Sequence, residues 1–130
     1  MGFIILCVIL ITISGFSEAV MDKLQFHYNR SVFIKLKNQQ FWNPEISWKN
    51  KWFNGDPVYG ERFKGSSTIF VGLTDAWHLF KSIRTFTLFL SLFLVAVVFD
   101  SLFFITIHFI ILRIFYGLSF TYLFNTLDEK

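Results

Sequence analysis

The chain has 130 residues, of which 54% are hydrophobic, 21% aromatic and only 16% charged, where soluble domains average about 25% charged. Nineteen phenylalanines exceed what a soluble core of this size can bury, so a water-soluble globular domain is excluded and hydrocarbon is the expected solvent. The net charge of +3 is concentrated, with ten of the twelve basic residues lying from Lys23 to Arg84 against six acids from Glu18 to Asp75.

That basic stretch is diluted by tryptophan and flanked by apolar runs. The expected partner is therefore the bilayer, with anionic lipid headgroups facing the basic surface, and not nucleic acid. Cys7 is the single cysteine and lies inside the first apolar run, so no intramolecular disulfide forms. Leu6 stands where a lipoprotein signal needs a small residue.

The expected fold class is an all-α membrane protein in three parts. An N-terminal transmembrane anchor covers 1–20, a basic, Trp-rich interfacial region covers 21–74, and a transmembrane or re-entrant helical hairpin with a short polar tail covers 75–130. The anchor rests on the apolar run from Gly2 to Phe16, extended by Ser17, Ala19 and Val20. Fifteen residues give about 22 Å of helix, slightly short of a ~30 Å hydrocarbon core. A cleaved signal peptide is the rival reading, with Ser17 and Ala19 around the cut. Its leading region would carry no Lys or Arg, so an uncleaved anchor is preferred.

A helix from Glu18 to about Tyr28 leads out of the apolar region, followed by a mixed stretch from Arg30 to Gln40. Asn43-Pro44-Glu45 then predicts a helix start, with Asn as N-cap, Pro at the first position and an acid in the first turn. This helix is expected to run through Trp52 and to stop at Asn54-Gly55, before Asp56-Pro57. Trp48 and Trp52 would share a face with Ile46 and Phe53, as in an amphipathic helix lying in the headgroup layer.

Residues 56–67 have loop composition, and Thr68 to Leu73 is a short apolar run suited to a strand or a shallow membrane-dipping segment. Thr74-Asp75 predicts a second N-cap, for a helix carrying Trp77, His78, Lys81 and Arg84 and ending near Phe99. The apolar region from Phe86 to Phe124 has 39 residues, nearly twice the bilayer's hydrocarbon thickness as one helix, so it must fold back. Asp100-Ser101 is the polar pair at the expected tip, and Leu102 to about Phe124 is the returning leg of a tight hairpin.

Arg113 within that leg carries an insertion cost of roughly 2.5–3.5 kcal/mol at mid-span. It favours a rival, shallow hairpin with legs Phe86–Phe99 and Leu102–Leu112 and with Phe115 to Leu127 along the surface. Either way the C-terminus returns to the basic side, which the positive-inside tendency places in the cytoplasm.

Among motifs, no nucleophile elbow, zinc-protease helix, P-loop or cysteine cluster occurs. The richest stretch is Gly60 to Thr68, a glycine-bounded basic loop. Its Arg62, Lys64, Ser66, Ser67 and Thr68 supply donors of the kind that bind a phosphate group. Asp75 and His78 lie three apart on one helix face, so the carboxylate can orient the imidazole as a general base. His27 lies near the same interface and completes the candidate catalytic set, although an aromatic cluster with Phe26 and Tyr28 explains it equally. These residues specify neither a metal site nor a cofactor.

His108, Arg113, Tyr116 and Ser119 mark the last segment as a surface for packing against a partner subunit or a second copy. Trp42, Trp48, Trp52 and Trp77 read as interfacial anchors. The function expected is a non-enzymatic scaffold or accessory subunit with a basic membrane-interface surface. The competing reading is a membrane-bound enzyme or lipid-binding protein acting on a phosphorylated headgroup.

Overall fold

A computed structural model describes residues 2–129, and these fold as an all-helical chain without strands among them. Three helices are long and apolar enough to cross a membrane: α1 (Gly2–Phe26), α4 (Ala76–Val98) and α5 (Leu102–Thr126). Two short helices, α2 (Gln39–Trp42) and α3 (Pro44–Ser47), lie in the segment between α1 and α4.

Helix α1 runs unbroken because no Pro interrupts it, and two of its hydroxyls are satisfied within the helix while Ser14 donates across to the Arg84 carbonyl of α4 at 3.2 Å. Thr12 donates to the Val8 carbonyl and Ser17 to that of Ile13, each at 2.8 Å. Its buried residues include Cys7, Ser14, Gly15, Ser17 and Ala19, all small. Small side chains let neighbouring backbones come close, and α1 therefore packs against both α4 and α5. The approach is close at Gly15, where an added Cβ would lie 2.1 Å from Ser119 Oγ and 2.6 Å from the Tyr116 carbonyl oxygen.

This arrangement corrects the tight hairpin expected of the last two helices. Helices α4 and α5 pack on each other far less than each packs on α1; at their connection Phe99 packs on Phe104 and on the His108 ring, the latter at 4.1 Å between centroids. Between them lies α1, because its small face is narrower than the phenylalanine-studded faces of its neighbours. The connection itself is where expected, at 99–101 between Val98 and Leu102. Helix α5 continues through Arg113 to Thr126 without a break, so the shallow hairpin with a separate surface segment does not form. The Arg113 guanidinium lies 5.6 Å from the Tyr116 ring, one turn toward the polar end of α5.

One core cluster joins Cys7, Ile11, Val95 and Leu112, and a second joins Val20, Leu24, Phe33 and Ala76. Outward faces are apolar as well: Phe86, Phe89, Phe93, Leu102, Phe103 and Leu118 are all exposed.

Residues 27–75 build a cap from short turns stitched by side chains. Gln39 Nε2 donates to the carbonyls of Phe33, Ile34 and Leu36, and Phe33 stacks on Trp42 at 5.1 Å. The helix expected over 44–52 is only one α-turn, Pro44–Ser47, followed by a 3₁₀ turn, Trp48–Lys51. Asn43 does cap it, accepting the Glu45 N–H at 3.0 Å. The helix stops because Asn50 turns its amide to the carbonyls of Gln40 and Thr74, at 2.7 and 2.8 Å. Trp52 is then extended and bridges to Glu61, so Trp48 and Trp52 share no helical face and the amphipathic helix is absent. Thr68 to Leu73 likewise forms turns and not a strand.

The polar tail is strapped to the cap. Val32 donates to the Leu127 carbonyl at 3.0 Å and Glu129 to that of Arg30 at 2.7 Å, flanked by the ion pairs Lys23–Asp128 and Lys35–Glu129.

Candidate functional site

Asp75 is the N-cap of α4, in extended conformation, and its carboxylate accepts the His78 backbone N–H at 2.9 Å. The same carboxylate lies 2.8 Å from His78 Nδ1 through both oxygens and takes the Thr74 hydroxyl at 3.1 Å. Only 2% of Asp75 is exposed. Burial by itself works against the charged carboxylate. The His78 ring, the His78 backbone N–H, the His78 charge and the Thr74 hydroxyl outweigh it and hold the pKa below its ordinary value.

In the tautomer that gives its Nδ1 proton to the ionised Asp75, the His78 ring leaves the Nε2 lone pair on the side away from the carboxylate. Lys51 Nζ is 3.3 Å from that Nε2. The three residues form a carboxylate–imidazole–ammonium chain that ties the cap to the start of α4. The expected Asp75–His78 pairing is thus formed, and Lys51 completes it.

Beside this chain, a groove of about 680 Å³ runs down one stripe of α4. His78, Lys81 and Ser82 line its upper end, and Phe86, Phe89 and Phe93 line its lower end. Intervals of three and four residues keep them on one face. Lys81 lies over the Trp77 ring at 4.9 Å from its centroid.

The glycine-bounded loop does not line the groove beside His78. Its donors converge on the chain's own Glu61, whose carboxylate accepts the Gly65 N–H at 2.8 Å, the Ser67 N–H at 3.1 Å and the Ser67 hydroxyl at 2.5 Å. The hydroxyl first, and then the two amides, hold the Glu61 pKa below its ordinary value. Ser66 is buried, with its hydroxyl on the Lys51 carbonyl at 2.7 Å. Thr68 closes a turn onto the Gly65 carbonyl, and Lys64 is exposed.

Arg62 pairs its backbone with Lys51, while its side chain lines a separate hollow beside Trp52 and Phe53. His27 packs edge-on against Phe124 at 5.5 Å and lines another recess, with Tyr28 and Glu45. Arg62, His27 and His78 thus face three different hollows. Among the described residues no group of three or more His, Cys, Asp or Glu gathers as a metal site.

In the last helix, His108 Nδ1 meets the Phe104 carbonyl at 2.8 Å, and Ser119 donates to that of Tyr116 at 2.9 Å. Three ion pairs escaped sequence reasoning, Arg84–Glu18, Lys23–Asp128 and the more exposed Lys35–Glu129. The only sequence signal of the first two is that each residue is an ionisable group next to or within an apolar run. Lys51 had no local signal at all. Comparison of the chain with protein-family models, with curated proteins and with solved structures gave no match.

Proposed function

We propose that the chain is a non-enzymatic integral membrane protein, a three-span scaffold or accessory subunit that holds a folded basic cap against an anionic leaflet. The observation that carries this reading is the gathering of polar helix ends on one side of the bundle. Glu18 pairs with Arg84 and Lys23 with Asp128, both on the side of the cap. Below them the helices turn phenylalanine, leucine and isoleucine outward, which lipid accepts and water rejects. Helices of 23 and 25 residues reach about 35–37 Å. That exceeds the hydrocarbon thickness of about 30 Å.

The central place of α1 supports an anchor that stays on the chain, since its loss would strip α4 and α5 of their common packing surface. The basic residues of the cap support a cytoplasmic location for that side. The outward face of α5, with Ile110, Ile114 and Leu118, is the surface offered to a partner subunit or a second copy.

Chemistry supports a structural role over catalysis for the Asp75–His78–Lys51 chain. Lys51 Nζ already sits at His78 Nε2, so that nitrogen is engaged within the protein and not open to a substrate. Gln39, Asn50, Ser66 and Glu61 also direct their polar groups into the cap itself. The test is extraction: the chain stays with the membrane pellet through alkaline carbonate and high salt and leaves only with detergent. Release by either wash contradicts the reading. A second reading, a lipid-binding protein at the interface, is favoured by one feature, the groove on α4.

A further inference from the structure

We propose that the groove on α4 holds one membrane phospholipid with an anionic headgroup, its phosphate at Lys81 and the His78–Lys51 pair and one acyl chain along Phe86, Phe89 and Phe93. This inference rests on the membrane-spanning reading above and gives it a specific ligand. The groove grades from polar to apolar along a single helix stripe, which is the profile of an amphiphile and not of a free ion. Its volume of about 680 Å³ lies within the range of ligand sites, roughly 300–1,000 Å³.

Depth agrees with chemistry. From Phe86 to Phe93 the helix rises about 10 Å, within the roughly 15 Å that one leaflet of hydrocarbon provides. Lys81 stands about 7 Å above Phe86 on the same rise, at the level of the headgroups.

Charge selects the headgroup. Lys81 is exposed and forms no ion pair among the described residues, resting only on Trp77. Lys51 adds a second cation behind His78. The nearby acid, Asp75, is buried and turned to His78 and Thr74, so it does not repel a phosphate in the groove. Ser82 gives its hydroxyl hydrogen to the His78 carbonyl at 2.9 Å, which leaves its oxygen lone pairs and not its proton toward the groove. The contact is therefore ionic, through Lys81 in the groove, with the Lys51 charge adding from behind His78.

The experiment uses the full chain in bilayer nanodiscs containing equal phosphatidylglycerol and phosphatidylcholine. Lipid that stays bound after transfer to mild detergent is read by native mass spectrometry. Phosphatidylglycerol should exceed phosphatidylcholine, with Lys81→Gln lowering that excess about fivefold and Lys81→Glu abolishing it, while Lys49→Glu, which lines a different hollow, leaves it unchanged. Phe89→Ala with Phe93→Ala should weaken retention of either lipid without reversing the preference. Helicity by circular dichroism identifies variants that fold, and Lys81→Gln keeps the side chain's size.

Equal retention of the two lipids overturns the proposal, as does an equal effect of Lys49→Glu and Lys81→Glu, which would mean diffuse surface charge. Displacement of bound lipid by glycerol phosphate at matching concentration also overturns it, in favour of a phosphate site without an acyl chain. A chain that never enters the nanodisc fails the membrane-spanning reading, whereas one that enters without lipid preference fails only this proposal.

Discussion

The Lys23 ammonium lies 2.5 Å from an Asp128 carboxylate oxygen and 3.7 Å from the centre of the Phe124 ring, with 2% of Lys23 exposed. A buried cation held by a half-exposed acid is asymmetric: losing the acid leaves the cation stranded, whereas losing the cation leaves the acid able to turn to water. Removing one partner of a fully buried pair costs about 3–5 kcal/mol, and exposure of Asp128 reduces that to about 1–3 kcal/mol here. Asp128→Ala should therefore destabilise the chain more than Lys23→Met, which replaces the stem with apolar volume. Loss of helicity during titration with sodium dodecyl sulfate measures both, and the reverse order would refute the buried-cation account.

Gly15 makes a second prediction. An added methyl there meets Ser119 Oγ and, behind it, the Tyr116 backbone carbonyl, so α1 and α5 must separate. Gly15→Ala should cost about 1–3 kcal/mol, the usual range for overpacking. Adding Ser119→Gly should restore only part of that loss, because the carbonyl at 2.6 Å remains. Full rescue, or no loss in Gly15→Ala, would show that the helices cross elsewhere.

Acid should loosen the cap. Asp75 and Glu61 both have folded pKa values held below the ordinary ones, which are about 3.9 for Asp and 4.3 for Glu. A lowered folded pKa contributes stability that is fully present above the unfolded value and is lost as pH falls through the folded value. Exchange protection of the His78 amide, which donates to the Asp75 carboxylate, should thus fall as pH drops from about 4, once corrected for the intrinsic rate. Asp75→Asn should flatten that dependence. An unchanged acid limb in both Asp75→Asn and Glu61→Gln would contradict the assignment.

Local chemistry made some elements legible and left others hidden. The caps at Asn43 and Asp75, the left-handed Asn54-Gly55 turn and the polar tip at 99–101 are each written within a few residues. The central position of α1 is not, because it depends on which of three apolar helices has the narrowest face. Nor are the pairs Glu18–Arg84 and Lys23–Asp128, 66 and 105 residues apart. The helix expected over 44–52 fails for a long-range reason, since Asn50 bonds to Thr74, 24 residues on. At the site, the Asp75–His78 spacing was readable and the approach of Lys51 was not. Glu61, four residues before Gly65, was the readable sign that the loop's donors already have an anion.

The most direct measurement is the accessibility of two engineered cysteines in a Cys7→Ala background, using an impermeant thiol reagent on intact cells. With three spans, Asn54 in the cap and Asp100 at the α4–α5 connection lie on opposite sides of the bilayer. The account predicts that a cysteine at position 100 labels, and that one at position 54 labels only after the membrane is opened. Labelling of both positions in intact cells, or of neither, would contradict a chain that crosses the membrane three times.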